Sequence, residues 1–132
     1  MTSRLHSIAL PDAIVTPAPD GSEVHELARD ERASMAIFRL PGHGVSRAVR
    51  HRSVSDYWFV YSGDGEIWRR LGDDEQNTPL RPGVSLIIPS GTAFQFRAGA
   101  LDLEIVATTV PGWDTIDADG EVEFVAGPWQ PG

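Results

Sequence analysis

Two residue types are missing from this chain of 132 residues: there is no cysteine and no lysine, and all 11 basic residues are arginine. Without cysteine there is no thiolate nucleophile, no disulfide and no thiolate metal ligand. Without lysine no side-chain amine can form a Schiff base. No apolar run approaches the roughly 18 residues that a membrane-spanning helix needs. A positive surface is missing too: the net charge is −8, and its average field repels the phosphates of nucleic acid. The chemistry left belongs to His, Asp, Glu, Tyr, Ser, Thr, Arg, a bound metal or the shape of a pocket. The opening stretch MTSRLHSIALPDA has one arginine and no long apolar core. It does not read as a secretory signal, so a cytoplasmic protein is the expectation.

A chain of this length buries about two-thirds of its unfolded surface, enough for one core and a single domain. Its segments alternate between short apolar-rich runs and Gly/Pro/Asp turns, the pattern of an all-β sandwich or barrel. Strands are expected at AIV (13–15), SMAIFRL (34–40), SRAVRHR (46–52) and DYWFVYS (56–62). GDG (63–65) reads as a hairpin turn into EIWRRL, and LGDDEQN as a second exposed turn. VSLIIPSG, AFQFRAG and LDLEIVATTV complete the set, and the stretch VHELARDERA is the one plausible helix. The organisation predicted is a barrel core over about 34–110, an N-terminal arm at 1–33, and a C-terminal tail at 111–132 pinned by Trp113, Phe124 and Trp129.

Two stretches carry a resemblance. Gly44 precedes a run ending at Asp56, and Gly63 follows after YWFVYS; RPGVSLIIPSGTAF then places Pro82, Gly83, Pro89 and Gly91. This resembles the cupin family of small double-stranded β-helix, or jelly-roll, barrels. Its first motif is a Gly, a His-x-His pair, a Glu and a second Gly. Its second is Pro-Gly and Pro-x-Gly followed by a His. Asp56 stands at the position of the Glu, and Phe94 at that of the last His. With four residues between the pair and Asp56, the pair falls on Val49 and His51; with three, on Arg50 and Arg52. The first register is favoured because HRSVSDY is similar to cupins in which a single His precedes R-S/T-x-S/T-x-D-Y. Strand alternation then turns Val49 and His51 inward, and Arg50 and Arg52 outward. The resemblance implies a barrel fold and, in most members, a metal-dependent enzyme such as a dioxygenase or isomerase.

Of the four ligand positions so assigned, only His51 and Asp56 carry donors, too few for a tight divalent site. The expectation is therefore no cofactor. The alternative is a divalent transition metal on His51 and Asp56, with His43 or Glu104 as a third ligand. The site expected is a small-molecule pocket in which His51 and Asp56 act as acid and base and Val49, Trp58, Phe94 and Phe96 form the walls. Metal-free isomerase, cyclase or lyase chemistry suits that pair. The structural counterpart of each reading is plain: a hydrogen-bonded polar pair in the core, and phenylalanines that only fill it. A non-catalytic sensor or partner-binding protein is the third class. Tyr57, Phe59 and Tyr61 form a second apolar face on their strand, and a homodimer would cover it. Ser53 and Ser55 lie outside any Gly-x-Ser-x-Gly turn, which argues against a serine hydrolase. Trp68 with Arg69 and Arg70 reads as a packed ring beside solvated arginines rather than a ligand clamp. Arg29, Arg32, Arg39, Arg47, Arg50 and Arg52 crowd one third of the chain. They read as a mixed solvated surface, with an anionic ligand as the sharper alternative.

Overall fold

A computed structural model describes residues 4–113 and 120–132. The stretch of the tail at 114–119 lies outside the described residues. After a short 3-10 turn at Leu10–Asp12 come β1 (Ile14–Pro17), β2 (Glu23–Arg29), β3 (Ser34–Leu40), β4 (Val49–His51), β5 (Ser55–Ser62) and β6 (Gly65–Leu71). β7 (Asp74–Leu80), β8 (Ser85–Ile88), β9 (Ala93–Ala98), β10 (Leu103–Val110) and β11 (Val122–Phe124) follow. They form two antiparallel sheets, ordered β1-β2-β3-β10-β5-β8 and β11-β4-β9-β6-β7. The expected all-β jelly roll is what the chain adopts.

Alternation builds the core between the sheets. Along β5, Asp56, Trp58 and Val60 are buried while Tyr57, Phe59 and Tyr61 face out; along β10, Leu103, Ile105, Ala107 and Thr109 are buried. Trp58 is the hub, with the rings of Phe96, Phe94 and Phe38 set edge-on at 5.0, 5.9 and 6.0 Å. Edge-to-face rings at these distances add to the burial of their area.

Four expectations differ from what the chain does. VHELARDERA is not helical: Val24 to Glu26 pair with Phe38 to Ala36, so an alternating run that borders an available strand is taken into the sheet. GDG does not close a hairpin. β5 and β6 belong to different sheets, and GDG carries the chain across between them. The glycines are needed for close approach, because a Cβ on Gly63 would lie 2.0 Å from the Asp102 carbonyl and one on Gly65 2.1 Å from that of Arg97. LGDDEQN is a turn only at Gly72 and Asp73; Asp74 onward pairs with β6 as an edge strand, where Pro79 is tolerated. Finally, the segment read as an N-terminal arm supplies β1 and β2 to the larger sheet.

The tail is integrated rather than draped. β11 pairs with β4, setting Val122 opposite His51 and Phe124 opposite Val49. Further on, the Trp129 N–H donates to Gln95 Oε1 at 3.1 Å, and Gln95 Nε2 donates to the Trp129 and Ser46 carbonyls at 2.9 and 2.8 Å. Gln95 is on the outer side of β9 but fully buried beneath this tail. Trp68 joins Ala48, Ala93 and Trp129 in a small second cluster there.

Phe96 is fully buried against Trp58. Phe96→Ala is expected to cost about 3–5 kcal/mol through lost transfer energy and the cavity left behind, read as a drop in the urea midpoint at unchanged slope.

Candidate functional site

A cavity of about 130 Å³ opens on the inner face of the larger sheet. Small residues in register leave it room: Ala107 sits opposite Ala36 on one side and Trp58 on the other, and Phe38 lies in the next row. Two methyl groups set among large rings leave a void that close packing would otherwise fill. Asp20, Glu26, Arg29, His51, Asp56, Phe94 and Trp113 are among the residues that surround it.

His51 is fixed from three sides. Its backbone pairs with Val122 of β11, its carbonyl accepts the Gly91 N–H at 2.8 Å, and its ring lies between Phe94 and Trp113 at 5.5 and 5.4 Å. Its Nδ1 faces Asp56 Oδ1 at 3.5 Å, an ion-pair distance but long for a good hydrogen bond. Asp56 is 0 % exposed. Its Oδ2 accepts the Trp58 indole N–H at 3.2 Å, whereas Oδ1 has no hydrogen-bond donor among the described residues.

Asp20 enters from the β1–β2 turn. The Ser22 N–H and hydroxyl both donate to its Oδ1, at 2.9 and 2.7 Å, and the Arg47 N–H holds the turn by donating to the Asp20 carbonyl at 2.8 Å. Glu121 backs the site from the tail, accepting the Ser53 N–H, the Ser53 hydroxyl and the Val54 N–H at 2.8, 2.8 and 2.9 Å.

Electrostatics follow from this crowding. Burial alone would lower the His51 pKa, but the Asp56, Asp20 and Glu121 carboxylates outweigh it and the imidazole titrates above its ordinary value of 6.5. Burial raises Asp20 above the usual carboxylate range, against the Ser22 hydrogen bonds and the His51 charge. Burial would raise Glu121 too; the Ser53 and Val54 donors and His51 prevail and hold it below the usual range.

Of the residues anticipated here, His51, Asp56 and Phe94 meet at the cavity. Val49, Trp58 and Phe96 instead pack in the hydrophobic core behind it, because the rings mesh edge-on around Trp58 and leave no face open. Trp58 still acts on the site through its N–H. Ser53 is committed to Glu121, and Ser55 Oγ accepts the Ser90 N–H at 3.0 Å, so neither is placed as a nucleophile. Among the described residues, three of the six crowded arginines are ion-paired: Arg39 with Asp102, Arg50 with Glu123, and Arg29 with Glu26 at the cavity. Asp20, Glu26, Thr109 and Trp113 were not anticipated as lining. Asp20 sits in an ordinary Pro-Asp-Gly turn, and nothing local links it to a histidine 31 positions later.

A metal does not suit these residues. Val49 and Phe94 offer no donor at two of the positions assigned to ligands, and neither His43 nor Glu104 lines the cavity. Among the described residues no group of three or more His, Cys, Asp or Glu converges in a way that would hold an ion.

No protein-family model matches the chain. It is 29% identical over 103 residues to a histidinol-phosphate aminotransferase of Symbiobacterium thermophilum, a match covering 72% of this chain and 27% of that protein. The chain thus spans about a quarter of the length of that relative. It is similar in structure to a predicted oxalate decarboxylase of Thermotoga maritima, with a TM-score of 0.68 at 16% identity over 80% of this chain and 99% of that one. The cupin domain of Schizosaccharomyces pombe Cnp3 gives a TM-score of 0.65 at 11% identity over 78% and 72%. The fold is that of the cupins. No helix among the described residues is long and apolar enough to cross a membrane.

Because the folded His51 pKa is raised, the stability it contributes is fully present below 6.5 and is lost as pH rises through the folded value. His51 is expected to titrate above 6.5 by NMR, and Asp56→Asn to bring that value down. His51→Gln should flatten the corresponding fall in thermal midpoint with rising pH.

Proposed function

We propose that this protein is a small-molecule-binding cupin-fold barrel in which His51 and Asp56 act as an acid–base pair without a metal. The observation that carries the reading is a buried carboxylate, hydrogen-bonded on one oxygen only, beside an imidazole at the edge of a cavity. With Nδ1 turned to Asp56, Nε2 is the nitrogen left for a substrate. The carboxylate orients the ring and stabilises its protonated form, so that the imidazole gives a proton to a reacting atom and takes one back. A positioned acid–base group of this kind contributes about 10²–10⁴-fold. That suits isomerisation, cyclisation or elimination, in which protons move without redox change.

The similarity to a predicted oxalate decarboxylase supports a second reading, a metal-dependent enzyme with atypical ligands. The donor set described above weighs against it. A non-catalytic sensor uses the same cavity with His51 as a binding group alone.

The first reading is tested by filling the cavity. Ala107→Leu adds bulk where Ala107 meets Ala36, and is expected to cost about 1–3 kcal/mol while abolishing the binding of small-molecule hits found by NMR screening. For any hit that is turned over, His51→Gln should lower kcat by about 10²–10⁴-fold with the fold unchanged. Unchanged turnover would remove the acid–base role, and hits indifferent to Ala107→Leu would remove the cavity.

The outer face supports a homodimer. Tyr57, Phe59 and Tyr61 are 50, 47 and 59 % exposed. Ile87 lies across from Tyr57, and Val106 across from Phe59, so the face is continuous over three strands. Sedimentation equilibrium at micromolar concentration should give twice the chain mass, and Phe59→Asp should return it to one.

A further inference from the structure

The charges around the cavity are unbalanced in a way that selects a ligand class, given the reading of this cavity as a ligand site. Glu26 and Arg29 are paired with each other. Deeper in, two carboxylates, Asp56 and Asp20, share one imidazole, and both are more than nine-tenths buried. Asp56 Oδ1 is sealed from water with no hydrogen-bond donor, and Asp20 is hydrogen-bonded, among the described residues, only through Oδ1 and only by Ser22. A buried carboxylate oxygen without a donor, as Asp56 Oδ1 is, is costly, and native sites normally satisfy it.

Several of the donors that would greet an anion are spoken for, although the His51 Nε2 is left for the ligand. The His51 Nδ1 faces Asp56. The Thr109 hydroxyl is bonded to that of Ser34 at 2.8 Å, and Ser34 Oγ also accepts the Trp113 N–H at 2.6 Å. Apart from Thr16 the remaining wall is aromatic and aliphatic, with Phe38, Phe94 and Trp113 set around Ala36 and Ala107. Carboxylates to accept N–H bonds, together with aromatic rings to flank a positive charge, are how proteins recognise organic cations.

We propose that the ligand is a small organic cation, a protonated amine whose N–H groups donate to Asp56 Oδ1 and to Asp20 while its hydrocarbon part lies against Phe94 and Trp113. The cavity of about 130 Å³ bounds its buried part. A dry cavity of about 150 Å³ takes a benzene-sized guest, so the match is to one compact six-membered ring or an equivalent short chain.

The test compares three probes of nearly equal size on the wild-type protein by NMR titration. Piperidinium is the cation, tetrahydropyran its uncharged isostere and cyclobutanecarboxylate an anion. Piperidinium should bind on the order of tenfold or more tighter than the other two, shift the signals of His51 and Trp113, and lose that binding in Ala107→Leu. Asp20→Asn should weaken it by a similar factor without affecting the affinity for tetrahydropyran. Tetrahydropyran or the carboxylate binding in the cavity as tightly as piperidinium would overturn the cation assignment and leave the cavity reading standing. Piperidinium binding that survives Ala107→Leu would show attraction to the acidic surface and overturn the assignment as well. Failure of all three probes to move any cavity signal would overturn both together.

Discussion

A carboxylate with no access to water is the constraint around which this barrel is arranged. Desolvating an ion of that kind costs several kcal/mol even after relaxation, and among the described residues the fold meets Asp56 with two groups, the Trp58 indole N–H and the His51 imidazole. Trp58 is thereby held in one orientation, and it is the ring against which Phe38, Phe94 and Phe96 are set. The polar site and the aromatic core therefore share one residue. A change in how Asp56 is satisfied is a change in how the core packs.

His51 depends on the same arrangement from the opposite side. It lies on a three-residue strand, which gives little rigidity by itself. The support comes from a distance in sequence: β11 pairs across it, Gly91 holds its carbonyl, and Glu121 ties the following loop through three hydrogen bonds. The tail is thus part of the site. Its acidic charge also reaches the imidazole, which three carboxylates keep in favour of the protonated form.

What could be read from the sequence, and what could not, follows from the range over which each signal acts. Alternation and glycine–proline spacing are local, so β3, β5 and β10 were expected within a residue or two of where they lie, as was the second face of β5 made by Tyr57, Phe59 and Tyr61. The partners of a strand are not local. LGDDEQN is polar after its leucine and reads as a turn, yet Asp74 to Leu80 pair with β6 along their length. VHELARDERA fits a helix as well as a strand until β3 is there to receive it. The GDG turn is tight either way, and only the sheet to which each flanking strand belongs shows that it crosses between layers. Asp20 lay beyond reach for the same reason: its meeting with His51 depends on the β1–β2 turn folding over a cavity that exists because Ala36 and Ala107 happen to be opposed.

The proton and the metal are competing uses of a histidine. A ligating imidazole must be neutral and must find further donors around the ion. At His51 the surroundings act the other way. The nearest aromatic neighbour on the adjacent strand is Phe94, which brings a ring edge rather than a lone pair, and the flanking carboxylates favour the added proton. Carboxylates brought in to serve a proton also leave surplus negative charge where water does not reach. The proposed acid–base pair and the proposed preference for cationic ligands are therefore two readings of one arrangement, in which the ligand's own charge would complete what a single imidazole leaves unbalanced.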